Sequence, residues 1–202
     1  MTDLAPVATF SGSEPNAKER HDPGGKVRIR LREAIRGGAT FSDCGQYRPL
    51  LWRDWAGAPN PGHVLWIGMN PSTADGDVDD PTVRRECDFT AAWGFGTYRK
   101  CNVMDFRATQ PKALLQPGVA PRSEINLPTI VDQARSARLV ILAFGSLHKK
   151  LSGYGTDVVA ALEAENIQAM CLGVTSNGSP RHPLYLRKDS ERIPFAGFTA
   201  AA

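Results

Sequence analysis

The sequence predicts an α/β fold: a three-layer α/β/α sandwich with a central four-stranded, mainly parallel sheet, and an extended edge segment on its N-terminal side. Short apolar runs recur along the chain and are separated by stretches with helical periodicity. This alternation is typical of βαβ units, whose parallel sheet is covered on both faces. At 202 residues, with 42% hydrophobic and 22% charged residues, the chain has the length and composition of one globular domain, and a disordered, collagenous or coiled-coil protein is excluded.

The N-terminal part is predicted to be extended. Residues 1–25 are rich in Pro, Gly, Ser and charge and lack a hydrophobic period, so we expect a flexible tail, followed by a single domain over 26–202. Apolar residues alternate with arginines over 27–32, which favours an edge strand whose arginines form either a solvated face or a basic ribbon. Residues 40–55 are predicted to form a second extended segment.

The predicted sheet and its helices follow. The strands are expected at residues 63–68, 98–106, 139–145 and 168–174, and the helices at 81–93, 125–137 and 156–165. The strands contain near-continuous apolar runs, as strands buried on both faces do. The first helix has Asp79 or Asp80 at its N-cap and Pro81 in its first turn, where these residue types are favoured.

Charge and hydropathy exclude few partners. The net charge is +3, from 24 Lys and Arg against 21 Asp and Glu, which neither demands nor excludes nucleic acid. No apolar run is long enough to span a membrane, and the first 25 residues do not have the pattern of a secretory signal. We therefore expect a cytoplasmic protein that is a monomer and does not bind membranes.

Common cofactor motifs are incomplete or absent. The chain has no complete dinucleotide or Walker A glycine pattern and no Gly-x-Ser-x-Gly nucleophile elbow. The four cysteines contain no Cys-x-x-Cys pair, and we expect buried free thiols, with an iron–sulfur cluster as the alternative. The acidic run 75–80 has Asp80 where a calcium loop needs glycine. Its carboxylates are predicted to cap the first helix or to orient a water molecule, and no metal or organic cofactor is expected.

Ligands of open α/β sheets bind at the carboxyl ends of the strands. The residues that follow the predicted strands are therefore candidates: 68–72, 102–107, 145–148 and the loop that contains His182. His182 lies between Arg181 and Pro183, so it is held in a restricted loop, and we predict a functional role, with a structural hydrogen bond as the alternative.

The motifs at these strand ends resemble those of the uracil-DNA glycosylase superfamily. Residues 68–71, Gly-Met-Asn-Pro, are similar to the first motif of the single-strand-selective branch, and His182 with Pro183 is similar to the second motif. Gly145-Ser146 with Lys149-Lys150 resembles a stretch of the classical branch, and Asn102 resembles the residue that reads the pyrimidine. Together these motifs cover about residues 63–187.

A second resemblance covers nearly the whole chain after residue 38. Residues 70–75, 79–82, 106–109 and 180–186 are similar to an uncharacterised family of bacterial and phage proteins, known only as a domain of unknown function. This resemblance implies no activity.

The glycosylase resemblance implies hydrolysis of the N-glycosidic bond of a modified or deaminated base that has been flipped out of DNA, single- or double-stranded. His182 is expected to hydrogen-bond the leaving base, Asn70 to position the attacking water, and Asp75 to assist it. The base would stack on Phe89, Trp93 or Phe106, and the segment 184–186 would either wedge into the DNA or form a core strand. The implied sets are: catalytic Asn70, His182 and Asp75; substrate-binding Gly68, Met69, Pro71, Ser72, Asn102, Phe106 and Phe89; and DNA-binding Lys149, Lys150, Arg181, Leu184, Tyr185 and Arg187.

Two other functions remain open from the residues alone. The same strand ends could bind a free nucleotide, nucleoside or modified base without glycosylase activity, or bind DNA without catalysis. The lysines could hold phosphates, and the amide of Asn102 offers a donor and an acceptor that could pair with the polar edge of a base.

Overall fold

The computed structural model describes residues 28–198, so the predicted tail, residues 1–25, lies outside the described residues. Within that range the strands are β1 (Ile29–Arg30), β2 (Arg36–Thr40), β3 (Leu50–Asp54), β4 (Val64–Gly68), β5 (Val78–Asp79), β6 (Thr97–Asn102), β7 (Leu139–Leu142), β8 (Met170–Cys171) and β9 (Ile193–Pro194). The helices are α1 (Pro81–Ala92), α2 (Asn126–Ser136) and α3 (Ser152–Ala164), with short 3-10 helices at Pro111–Leu115 and Pro183–Tyr185.

The main sheet is mixed and has seven strands, in the order β2-β3-β6-β4-β7-β8-β9. The mixed α/β class is therefore confirmed, but the predicted sandwich around four strands is wrong about the extent of the sheet. The four predicted strands correspond to β6, β4, β7 and β8, which pair in parallel. Antiparallel strands extend this group on both sides.

The edge strand predicted over residues 27–32 is shorter in the structure and does not join the main sheet. β1 pairs with β5 in a separate two-stranded sheet. Its neighbours Arg28 and Arg32 lie on the surface and form ion pairs with Asp75 and Asp88, at 2.6 and 2.9 Å. Of the two predicted alternatives, these arginines therefore form the solvated face.

Side chains of β4 alternate between two buried clusters. Leu65 and Ile67 pack in a cluster that includes residues of α2 and α3, whereas Val64 and Trp66 pack in a cluster that includes residues of α1. Helices therefore cover both faces of the central strands. No helix within residues 28–198 is long and apolar enough to cross a membrane.

Helix α1 places charged residues at the carboxyl end of the sheet. It connects the parallel strands β4 and β6, so its first residues lie on the side where those strands end. Asp80 is its N-cap and accepts a hydrogen bond from the Val83 amide at 2.8 Å. Pro81 follows at the first helical position, as the sequence predicts.

Candidate functional site

A buried ion pair lies under the carboxyl end of β6. Lys100 Nζ donates to both carboxylate oxygens of Glu86 in α1, at 2.6 and 2.7 Å, and the Tyr98 hydroxyl donates to the same carboxylate at 2.7 Å. All three residues are buried. Burial raises the pKa of Glu86, and Lys100 acts in the opposite direction. Two donor groups thus make three hydrogen bonds to the carboxylate, and both of its oxygens are paired.

The side chain of Asn102, at the end of β6, is equally buried but has no hydrogen-bond partner within the described residues. Its exposed fraction is 0%, and neither its Nδ2 nor its Oδ1 has a hydrogen-bond partner within the described part of the chain. Leaving one such buried group unpaired costs about 1–3 kcal/mol. An amide with two unpaired atoms at a strand end is a feature that a ligand with a complementary donor and acceptor would satisfy.

Gly68 makes this arrangement possible. It is paired with Asn102 in the parallel register, and a Cβ built on it would lie 2.7 Å from both Asn102 Oδ1 and Lys100 Nζ. Because both atoms are 2.7 Å from one point, they are at most about 5.4 Å apart. Only glycine leaves room for both polar groups beside the β4 backbone.

His182 lies at the same end of the sheet. It precedes the 3-10 helix Pro183–Tyr185, and its Nδ1 accepts a hydrogen bond from the Leu184 amide at 3.3 Å. Its Cβ is 3.7 Å from the position a Cβ would take on Gly145, whose φ of +69° favours glycine. The His182 segment is therefore packed against the end of β7.

The electrostatic environment keeps His182 neutral. Burial and, to a smaller extent, the Lys100 charge lower the pKa of His182 to about 4, while Asp80 acts in the opposite direction. At neutral pH the ring is uncharged, and because Nδ1 is an acceptor, the proton is on Nε2. His182 thus offers a neutral N–H donor.

The loop after β4 is fixed by the chain that follows β6. The Asn70 amide group donates to the carbonyl oxygens of Ala108 and Pro71, at 2.6 and 2.9 Å. The amides of Val103 and Met104 donate to the carbonyls of Gly68 and Met69. Asn70 is therefore rigidly held, with its Oδ1 as the remaining acceptor.

The rest of this loop is packed to different extents. Pro71 is buried, and Met69 and Ser72 are half-buried.

Other candidate residues take part in packing or loop structure. The Asp75 carboxylate accepts from the amides of Asp77 and Val78 and pairs with Arg28 at 2.6 Å. Phe89 is buried against Trp66 and Trp93, and Phe106 packs edge-on against Tyr47. The structure thus places Gly68 and Asn102 side by side and His182 next to Gly145, after β7 at the same end of the sheet, and gives Asp75 and Phe89 other surroundings.

The predicted DNA-binding residues are at the surface. Lys149, Lys150, Arg181, Leu184 and Arg187 are exposed, and Tyr185 is 86% exposed. The Tyr185 ring centroid is 6.0 Å from that of His182. Since residues 183–185 form a 3-10 turn, the alternative of a C-terminal core strand at 184–186 is wrong.

Sequence reasoning missed Lys100, Glu86 and Arg48. Arg48 is 1% exposed, donates to the Ala74 carbonyl, and has an unpartnered Nε. Burial lowers the pKa of Arg48, while Asp80 raises it. The sequence did contain one signal for this ion pair. Lys100 lies within a predicted buried strand, and a buried charge requires a partner of opposite charge.

The described residues form no metal-binding cluster, and their four cysteines are free thiols. Within residues 28–198, no three His, Cys, Asp or Glu side chains come together in a way that could hold a metal ion. Cys87, Cys101 and Cys171 are buried free thiols, as expected, whereas Cys44 is exposed.

Comparison with known proteins finds one family. The family model described as "Protein of unknown function (DUF1643)" matches residues 48–184. The matched segment begins at the buried Arg48 and ends just after His182 and Pro183, so it contains all the strand ends described above. No curated protein and no solved structure matches the chain.

Proposed function

We propose that this chain, which belongs to the DUF1643 family, hydrolyses the N-glycosidic bond of a modified or deaminated base flipped out of DNA. The observation that carries this proposal is the fully buried, unpartnered amide of Asn102 beside Gly68. A nucleobase edge presents hydrogen-bond donors and acceptors side by side, so it would pair both amide atoms and remove the cost of leaving them unsatisfied.

His182 supplies the donor for the leaving group. As the glycosidic bond breaks, negative charge collects on the departing base, and catalysis needs a donor at that position. A neutral imidazole with its proton on Nε2 meets this need without first being charged. Its low pKa supports the proposal, because the ring stays in this form across the physiological range.

Asn70 is suited to orient the water. Its Nδ2 is committed to two backbone carbonyls, which fixes the side chain and leaves Oδ1 to accept a hydrogen bond. An amide is a poor base, so we assign Asn70 to positioning the water.

The surface beside His182 supports DNA as the partner. Tyr185 presents an aromatic ring that is 86% exposed next to the site, and Arg181 is exposed on the adjoining loop. An exposed ring stacks on bases, and arginines contact phosphates. The alternative, a free nucleotide or modified base as ligand, is favoured by the same Asn102 amide and leaves Tyr185 without a role.

The test uses synthetic oligonucleotides. Single- and double-stranded substrates carry one uracil, hypoxanthine, mismatched thymine or hypermodified pyrimidine, and alkali cleaves the strand wherever a base has been removed. We expect cleavage of at least one substrate. His182→Ala should reduce the rate about 10²–10³-fold, the effect of losing one donor to a developing anion.

The matched control is His63→Ala. His63 is also half-buried, but it lies at the opposite end of β4 and interacts through Nε2 with the Gln133 carbonyl at 3.0 Å. It should keep the wild-type rate. Equal losses in both variants would reject the role of His182. DNA binding without cleavage of any substrate would leave a non-catalytic DNA-binding protein, and a nucleotide-dependent rise in melting temperature with no DNA binding would favour the free-nucleotide alternative.

A further inference from the structure

Two polar residues of β6 lie on the same face of the sheet as Gly68. Lys100 and Asn102 are two positions apart, so their side chains point to the same side of the strand. The parallel register pairs Trp66 with Lys100 and Gly68 with Asn102. Trp66 belongs to the buried cluster that includes residues of α1. Lys100 and Asn102 therefore lie between the sheet and α1.

The ammonium group of Lys100 is close to the unpartnered amide. A Cβ built on Gly68 would lie 2.7 Å from Lys100 Nζ and 2.7 Å from Asn102 Oδ1, and no oxygen of Glu86 is among the three atoms nearest to that point. Within the described part of the chain, no hydrogen bond reaches either polar atom of the amide. The positive end of the Lys100–Glu86 pair is therefore the end beside Gly68.

Lys100 also keeps one donor for a ligand. An ammonium group carries three N–H donors, and the acceptors that Lys100 finds within residues 28–198 are the two carboxylate oxygens of Glu86, at 2.6 and 2.7 Å. Its side chain is 6% exposed, so bulk water has little access to the third donor. A ligand at this strand end would meet the amide of Asn102 and a cation side by side.

We infer that Lys100 is a further residue of the base-binding site and that its charge stabilises the leaving base. This inference rests on the proposed function. The glycosidic bond breaks with both electrons going to the base, which leaves as an anion, while the oxygen of water forms a bond to the sugar carbon. The water proton is released to solvent, and the base takes up a proton from solvent after it has left. Lys100 keeps its own proton throughout.

Lys100 and His182 contribute in different ways. The His182 ring is uncharged at neutral pH and offers one hydrogen bond, whereas Lys100 carries a full positive charge. The base of the intact substrate is neutral, so this charge stabilises the transition state more than the bound substrate. Because Glu86 already holds the ammonium group through two hydrogen bonds, the charge is in place before the bond breaks.

The first test measures the binding of two free bases and needs no catalysis. Thymine is uncharged at neutral pH, whereas 5-nitrouracil carries an electron-withdrawing nitro group in place of the methyl group and is an anion. We expect calorimetric titration of the wild-type protein to give a Kd for 5-nitrouracil about tenfold or more below that for thymine, because the anion interacts with the Lys100 charge.

The second test removes both charges of the ion pair. Lys100→Met alone would leave the Glu86 carboxylate buried without a partner, but folded proteins often tolerate the loss of both charges, as in Lys100→Met/Glu86→Gln. Circular dichroism and melting temperature establish that this double variant folds. We expect its preference for 5-nitrouracil to fall below about threefold and its kcat on the preferred oligonucleotide to fall about 10–100-fold.

The matched control removes the neighbouring ion pair of β6. Arg99 Nη1 is 2.9 Å from Asp54 Oδ1, and Arg99 directly precedes Lys100, so its side chain lies on the other face of the sheet. Arg99→Met/Asp54→Asn also removes one positive and one negative charge. It should keep the preference for 5-nitrouracil and the wild-type kcat.

Two results overturn the inference. If the wild-type protein binds thymine as tightly as 5-nitrouracil, the site does not favour negative charge, and this measurement is decisive whatever the stability of the variants. If the Lys100→Met/Glu86→Gln variant keeps the preference and kcat, or the control loses both to the same extent, Lys100 is not the source of the effect. In either case, cleavage of an oligonucleotide by the wild-type protein leaves the proposed function standing.

Failure of the proposed function has a different signature. If the wild-type protein shows the expected preference but cleaves no oligonucleotide, the proposed function is rejected and Lys100 is a residue that binds anionic bases without catalysis. Binding of neither base, together with no cleavage, rejects the proposed function and this inference.

Discussion

The two ends of the parallel strands carry similar residues in different states. At the amino end, Asn60 donates to the Trp93 carbonyl at 2.8 Å, and His63 Nε2 lies 3.0 Å from the Gln133 carbonyl oxygen. At the carboxyl end, Asn102 has two unpartnered atoms, and His182 uses only Nδ1. The same side-chain types therefore complete the fold at one end, whereas at the other they retain hydrogen-bonding capacity that a ligand can use.

The largest effect should come from the ion pair that supports the carboxyl end. Glu86→Gln leaves Lys100 buried without a counter-charge, and we expect the free energy of unfolding to fall by about 3–5 kcal/mol in urea titrations. Asp189→Asn breaks the Arg187–Asp189 pair, whose side chains are 85% and 68% exposed. It should have little or no effect, and equal losses would mean that burial does not distinguish the two pairs.

A second pair of variants compares two fully buried asparagines. Asn126 Nδ2 donates to the Asn102 carbonyl at 3.0 Å, so Asn126→Leu should cost about 1–3 kcal/mol of stability. Asn102→Leu loses no hydrogen bond of its side chain and should leave the melting temperature unchanged or higher, while abolishing base removal. A clear loss of stability in Asn102→Leu would show that its amide serves the fold.

The contact between β4 and β6 can be tested at Gly68. A methyl group there would meet Asn102 Oδ1 and Lys100 Nζ at 2.7 Å, so Gly68→Ala should cost about 1–3 kcal/mol. Gly153→Ala is the control, because a Cβ at that position in α3 meets nothing within 4 Å. It should be neutral or stabilise the helix by up to about 1 kcal/mol, as measured by thermal unfolding.

The smallest effect concerns pH. The folded-state pKa of His182, about 4, is below the ordinary value of about 6.5, so the unfolded chain binds more protons between these values. The free energy of unfolding is therefore unaffected by His182 above pH 6.5, and it decreases as the pH falls from 6.5 towards 4. Allowing for screening of a half-buried ring, this is about 1–2 kcal/mol.

The measurement is the melting temperature against pH for wild-type protein and His182→Gln. The variant should lose less stability between pH 6.5 and 4. Burial also lowers the pKa of His63, so His63→Gln should change the slope in the same direction. If only His63→Gln does so, the His182 ring is not desolvated in the folded protein, and the expected pH dependence of His182 is wrong.

Sequence patterns predict the central strands better than the edges. All four central strands exist where they are predicted, because continuous apolar runs signal burial on both faces. β4 matches its predicted bounds to one residue, whereas β6, β7 and β8 end at residues 102, 142 and 171, before the predicted ends at 106, 145 and 174. β2 has the sequence Arg-Gly-Gly-Ala-Thr, with neither strict alternation nor strong strand formers, and exists because β3 pairs with all five of its residues. β9 has two residues and depends on β8 in the same way.

In the candidate site, too, some features could be predicted from the sequence and others could not. Gly68, Asn102 and His182 were predictable, because residues that follow buried strands gather at one edge of a parallel sheet. The pairing of Lys100 with Glu86 was not, because it joins a strand to a helix through side chains 14 positions apart.

By itself, the sequence determined the α/β class, the order of the central elements and which loops lie at the carboxyl end, because hydrophobic periodicity and chain direction are local properties. Only the tertiary structure decided the seven-stranded sheet and the states of the polar groups within it. Whether a buried amide, carboxylate or imidazole is paired depends on atoms brought by distant segments. For this reason Asn60 and Asn102, the same residue type in the sequence, differ in the folded protein.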